Sequence, residues 1–220
     1  MTRDNVSAMT GAVKPPKRTR REQAADTRER IVRAATDVFA EAGYLGARMG
    51  DIAQRAGVAV QTVYFTFHTK GQLLQACLDH AVLGPDRLHP MDQPFLARLN
   101  TARSGQAALA AFVRGNTEIL RRAARIQDVA RAASHEPDAV AVLEHNEGLR
   151  REGLCHIASL LDHRFGLRVN VADATDLLLM MTSPATYLTL LGYGWNETKY
   201  NKWLTAALAS ELLAKPGCST

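Results

Sequence analysis

The sequence is poor in the features that mark enzymes, secreted proteins and membrane proteins. Its three cysteines, Cys77, Cys155 and Cys218, are odd in number and far apart, which argues against a disulfide framework and fits a reducing compartment. Met1 to Ala12 lacks a basic start followed by an apolar stretch, so no secretory signal is expected. There is no glycine-rich phosphate loop, no nucleophile elbow and no paired metal-ligand motif. Glu152 and His156 stand one helical turn apart, but a helical di-iron site needs a second matching set. His156 and His163 are two turns apart, about 10 Å by helical rise, too far to share one metal. The other histidines, including His68, His80, His89 and His135, are isolated. Catalysis, a cofactor and a metal are therefore not expected. Sustained strand-type alternation is also missing, which leaves an all-α fold. One run, Leu177 to Asn196, carries no charge over about the length of a membrane span. Thr182, Ser183, Pro184, Thr186, Thr189 and Gly192 interrupt it and no basic cluster flanks it closely, so a buried interface helix is expected and not a span.

The 46% of apolar residues is ordinary for a globular chain and excludes overall disorder. The net charge of +5 is distributed unevenly: residues 1–70 hold twelve Lys/Arg against seven Asp/Glu, and residues 71–220 hold fifteen of each. The excess sits wholly in the N-terminal third, the footprint of a module that meets polyphosphate on a body that does not. Three regions follow: a flexible basic arm over 1–23, a head over 24–83 whose charge suits DNA, and a helical body over 84–215. In the arm, Pro15-Pro16 block a helix, and Lys14, Lys17, Arg18, Arg20 and Arg21 repel one another. In the head, a first helix is expected from Asp26, with Glu29 completing a capping box. It should bury Ile31, Ala35, Val38 and Phe39 and stop at Gly43. Short helices follow over about Arg48–Arg55 and Val60–Phe67. A fourth, capped by Thr69 with Gln72, runs to Leu83. After a separating segment through Pro94, body helices are expected over Ser104–Ala124, Ile126–Ser134, Pro137–Phe165, Val171–Leu191 (kinked at Pro184) and Asn196–Leu213.

The informative stretch is Asp51 to Phe67. It reads as two short helices around a tight turn, with Ala53 small at the crossing, Gly57 permitting the turn, and Val58 and Val63 plugging the shared core. Gln61, Thr62, Phe65 and Thr66 are not needed by that core and project outward, toward a major groove that admits one helix. The block from Thr27 to Leu83 resembles the DNA-binding domain of TetR-type regulators. The likeness lies in Ile31, Ala35, Phe39 and Gly43-Tyr44, in Asp51-Ile52-Ala53 and Ala56-Gly57-Val58, in Thr62-Val63-Tyr64 and Phe67, and in Lys70 with Leu73-Leu74. Ser183-Pro184, Tyr187, Gly194-Trp195, Tyr200 and Trp203-Leu204 are similar to the last two helices of many members. Over about 90–170 the resemblance is architectural only. It implies a bacterial, cytoplasmic, nucleoid-associated homodimer bound to double-stranded operator DNA, a repressor released by an unknown small-molecule effector. The rival readings are an activator and a sequence-tolerant architectural factor.

The resemblance also assigns roles. Val60, Gln61, Thr62, Phe65 and Thr66 face DNA. Gln61 is the leading base reader, since its amide can bond adenine at two points. Thr62 and Tyr64 offer hydroxyls to phosphates. Val60 and Phe65 suit a thymine methyl. Lys70 and Arg48, at helix starts, suit phosphates and the opposite groove wall. Ala47, Gly50 and Gln61 depart from the pattern, where a capping Thr or Ser, a polar or basic residue, and Gly are common. The dimer contact is expected from Leu178, Met181, Ala185, Leu188, Trp203, Leu204 and Leu208. Phe112, Asn116, Ile119, His145, Met180 and Tyr187 are candidates to line an effector pocket.

Overall fold

The computed structural model describes residues 19–214. Most of the arm, residues 1–18, therefore lies outside the described residues. The first helix, α1 (Arg20–Gly46), starts earlier than Asp26 because a better cap precedes it. The Thr19 hydroxyl accepts from the Glu22 N–H at 3.2 Å while the Glu22 carboxylate accepts from the Thr19 N–H at 2.7 Å. That closed box outcompetes the one expected at Asp26–Glu29, and residues 20–23 are helix, not arm. Gly43, at φ +70°, breaks the helical path as expected and lets Tyr44 fold back to stack on Phe39, with ring centroids 5.9 Å apart.

The helices α2 (Met49–Ala56), α3 (Val60–Thr66) and α4 (Lys70–Leu83) complete the head. Gly57 closes α2 in the left-handed region (φ 65°, ψ 42°), and the Val58 N–H reaches back to the Ala53 carbonyl at 3.0 Å. That bond pattern satisfies the last carbonyls of α2 and turns the chain sharply into α3. Thr69 caps α4 by accepting from the Gln72 N–H at 3.1 Å.

The body has more helices than its sequence pattern indicates. Pro94, read as part of a separating segment, opens α5 (Pro94–Thr101) instead, a position where its missing N–H costs nothing. The two helices expected over 104–134 are one, α6 (Gly105–Ala132), since nothing between them caps or breaks a helix. Conversely the helix expected over 171–191 is two, α8 (Val171–Met181) and α9 (Pro184–Gly192). Ser183 accepts from the Thr186 N–H and caps α9, with Pro184 at its first position, so the chain restarts there and does not merely kink. No helix among the described residues is long and apolar enough to cross a membrane. α7 (Pro137–Phe165) matches expectation, as does α10 (Glu197–Leu212), which Asn196 caps. Among the described residues there is no strand, only an isolated bridge between Leu167 and Leu213.

Two cores form around α6. The first joins the head helices to Ala123, Ile126, Ala130, Ala133, Ala139 and Val142 from α6, its end and α7. The second is built by α5 to α10 around Phe112, Leu161, Leu178, Tyr200, Leu204 and Leu208. The head is thus not sealed by its own four helices, and a boundary at residue 83 cuts through a continuous core. Between α5 and α6 the approach is so close that a Cβ on Gly115 would lie 2.2 Å from the Phe95 ring.

Gly115→Ala should therefore lower stability by about 1–3 kcal/mol, the clash exceeding the helix-propensity gain. Gly148→Ala, where a Cβ meets nothing within 4 Å on α7, should raise stability by about 0.5–1 kcal/mol. Urea titrations followed by circular dichroism check both; a loss at Gly148 or a gain at Gly115 contradicts this packing.

Candidate nucleic-acid interface and body cavity

The head presents α3 as an outward ridge. Val63 is fully buried and Phe67 nearly so, which fixes the inner face of the helix. On the other side of the helix the side chains turn out: Gln61 is exposed, Tyr64 is 51% exposed and Phe65 84% exposed. An aromatic ring so exposed on a seven-residue helix serves no packing purpose within the chain. Val60, at 37%, continues the ridge toward the start of α3. Thr62 and Thr66 are only half-buried flank residues, and the Thr66 hydroxyl donates to the Thr62 carbonyl at 2.7 Å. Arg48 is exposed at the start of α2, where no side chain caps the helix. The free N–H groups of that first turn and the Arg48 guanidinium share one end of α2.

The ridge is held by a rigid frame. Arg55 of α2 grips Glu41 of α1 through two bonds of 2.7 Å, and the Arg55 guanidinium holds the Glu41 carboxyl below the usual carboxylate range. The Arg28 guanidinium lies over the Phe67 ring, 4.7 Å from its centroid.

Lys70 has a role that its place in the sequence did not reveal. Its ammonium turns inward, donates to the Tyr44 carbonyl at 2.8 Å and the Ala47 carbonyl at 3.3 Å, and sits 4.6 Å from the Tyr44 ring centroid. It therefore ties the end of α1 and the approach to α2 onto the start of α4. Burial, with the carboxylates of Asp138 and Glu136 nearby, pushes the Tyr44 phenol up to about 12. A further link joins α6 to the head: the Arg122 guanidinium donates to the Ala81 carbonyl at 2.8 Å and the Val82 carbonyl at 3.4 Å, ending α4.

In the body, a cavity of about 680 Å³ lies between α4, α5, α6 and α7. Phe112, Asn116 and Ile119 line it, as expected. His145 and Met180 do not, and Tyr187 lines a separate cavity of about 540 Å³ between α6 and α9. His145 and Met180 face solvent, while Tyr187 is buried against Tyr200 and donates to Glu197 at 2.9 Å. Gln127, missed in the sequence, does line it. It shares a face of α6 with Asn116, Leu120 and Ala123, a spacing hidden by the helix break assumed at residue 125. Among the described residues no cluster of His, Cys, Asp and Glu could hold a metal.

The residues expected at a dimer contact divide. Leu178, Leu204 and Leu208 are fully buried in the subunit's own core and are withdrawn from that role. The reason is periodicity: an apolar stripe on a helix covered on two sides does not reveal which side is the partner's. Met181 and Leu188 are half-buried, Ala185 is exposed and Trp203 is 36% exposed. Met180, 62% exposed, and Tyr193, 76% exposed, add to the apolar surface of the same helical region.

A helix-turn-helix head with an outward second helix, set on an all-helical body, defines the class. Residues 31–77 match the model of bacterial regulatory proteins, tetR family. The chain is 36% identical over 91 residues to the HTH-type transcriptional regulator SrpR of Pseudomonas putida, which is 41% of this chain and 40% of that protein. It is also 36% identical over 91 residues to the HTH-type transcriptional regulator TtgW of Pseudomonas putida, again 41% of this chain and 63% of that protein. The aligned part is thus under two thirds of either relative's length. Among solved structures, the fatty acid degradation regulator FadR from Bacillus halodurans shares the fold at a TM-score of 0.60 and 21% identity, over 83% of this chain and 94% of that one. A Saccharomonospora viridis protein solved with choline shares it at 0.66 and 18% identity, over 87% and 100%. The likeness to that family model is confined to the head, and the curated relatives that the chain resembles there are HTH-type transcriptional regulators.

Lys70→Met should lower the stability of the protein by about 1.5–3 kcal/mol, because two carbonyls lose a charged donor. An unchanged denaturation midpoint would show that the ammonium is not seated on α1.

Proposed function

We propose that the protein is a sequence-specific, DNA-binding transcriptional regulator that works as a homodimer and is a repressor released from a palindromic operator by a small-molecule effector. The observation that carries this reading is the exposed ridge of α3, with Gln61, Tyr64 and Phe65 outward and Val63 and Phe67 locked inward. In a major groove, the Gln61 amide bonds adenine at two points, and the exposed Phe65 ring packs on a thymine methyl. Tyr64 and Thr62 offer hydroxyls to phosphates. Arg48 meets the opposite wall with the first turn of α2 behind it. Lys70 gives two of its three protons to carbonyls and keeps one for a phosphate. Thr66, its hydroxyl already given to Thr62, contributes its methyl group.

One short helix reads few base pairs, so a twofold pair of heads is needed for an operator. The exposed apolar residues Met180, Ala185, Tyr193 and Trp203 supply a self-complementary face for that pair. An effector in the body cavity would release DNA by favouring a head spacing that no longer matches the two half-sites.

Selection of bound duplexes from random DNA by the purified chain tests the reading, and an inverted repeat should emerge; enrichment of no motif, with salt-sensitive binding everywhere, would point to an architectural factor instead. Gln61→Ala should relax preference at one base position per half-site, costing about 1–3 kcal/mol per subunit; equal weakening on operator and scrambled DNA speaks against base reading. Ala185→Arg should give folded monomers with weak operator affinity, and dimers persisting in sedimentation would place the twofold contact elsewhere.

A further inference from the structure

The shape of the body cavity follows from the two helices that wall it. α6 and α7 run antiparallel, so Phe112 and Leu160 border one end and Gln127 and Asn146 the other. From Phe112 to Gln127 the helix rises about 22 Å. A cavity of about 680 Å³ whose lining runs over that length is elongated along α6. The cavity is a slot, lined mostly by apolar side chains such as Phe95, Leu120 and Ile157.

Two polar features stand out against that lining. The Asn116 Nδ2 and the Gln127 Oε1 are buried with no hydrogen-bond partner, and both residues border the slot. Leaving such groups unpaired is costly, so their retention needs a reason. They are eleven residues apart on one face of α6, about 16 Å along the axis, too far for one small polar group to serve both. Of the charged residues at the slot, Glu152 stands at an exposed position on α7, as does His156, while Arg150 and Asp79 are already engaged. The Arg150 guanidinium donates to Glu147 at 3.0 Å, to the Leu179 carbonyl at 2.6 Å and to the Thr182 hydroxyl at 3.1 Å. Asp79 accepts from the Gln75 amide at 2.7 Å. The buried unpaired positions at the slot therefore belong to two neutral amides, one lacking an acceptor and the other a donor.

We propose that this slot binds an elongated, uncharged molecule with an apolar middle and a hydrogen-bonding group toward each end, one accepting from Asn116 and the other donating to Gln127. The inference deepens the effector reading above and rests on it only for the consequence at DNA. Because the slot reaches from α5 to the end of α4 that Arg122 holds, a ligand long enough to satisfy both amides touches a helix of the head.

The test uses the full chain and 1,12-dodecanediol, whose two hydroxyls each donate and accept, in titration calorimetry. The diol should bind, while 1,6-hexanediol, too short, and dodecanoate, charged, should bind at least tenfold more weakly. Asn116→Leu and Gln127→Leu should each weaken diol binding about tenfold while holding or raising the melting temperature of the empty protein, since each removes an orphaned polar atom. Gly153→Leu fills the middle of the slot from α7, where a Cβ meets nothing within 4 Å, and should abolish binding with the fold intact. Equal binding of the three probes, no binding of the diol, or wild-type affinity in the folded variants overturns the proposal. Binding that leaves affinity for the selected inverted repeat unchanged would support the slot and remove its role as effector site. A chain that selects no DNA motif but binds the diol would likewise separate the two readings.

Discussion

The head has a hydrophobic core that its own helices cannot close. Ile31, Phe39, Ile52, Leu73, Leu74 and Leu78 are buried against each other, but Ala123, Ile126, Ala130 and Val142 of the body complete the same cluster. An apolar surface left open to water costs about 25 cal/mol for each Å², so head and body settle together. α6 is the element they share. Its C-terminal half seals the head, and its N-terminal half packs with α5, α7 and α10. Any change in how α6 sits is felt on both sides, which is the physical requirement for coupling between a body cavity and the exposed ridge of α3.

Polar contacts sharpen this coupling where it crosses the seam. Arg122 holds the last carbonyls of α4, and Lys70 holds one carbonyl in the last turn of α1 and one just beyond it. The two cations brace opposite ends of α4, one from within the head and one from the body. Charged donors on carbonyls are worth more than neutral ones, and both ammonium and guanidinium are partly withdrawn from water here. The helix that lies between the other head helices and the slot is therefore clamped rather than loose. Its position depends on where α6 carries Arg122.

The head was legible in the sequence because its signals are local. Gly43 and Gly57 mark left-handed positions, Thr69 marks a cap, and the small and apolar residues from Ala53 to Phe67 fix which side of α3 is inward. Legibility fails where two local signals compete or where the partner is distant. Thr19–Glu22 and Asp26–Glu29 are both capping boxes on paper, and the earlier one opens the helix. Pro94 reads as a breaker or as a first helical residue, and only packing on Gly115 decides. A break in α6 would set Asn116 and Gln127 on separate helices, and expecting one hides the slot. The inward turn of Lys70 depends on carbonyls 26 and 23 residues away, beyond any short-range pattern. Leu178, Leu204 and Leu208 look like partner-facing residues for the same reason that they make a good core.

The seam between head and body has one more marker. Gly71, second in α4, faces the first turn of α7 so closely that a Cβ would come within 2.8 Å of Asp138. The likeness to the Pseudomonas regulators extends over only 91 residues, yet head and body must fit at this point. Grafting a head from one regulator onto the trunk of another will succeed only when the glycine, its carboxylate neighbour and the alanines of the shared helix travel as a set. Substitutions on the outer side of α3 are thus tolerated more easily than the shuffling of whole modules.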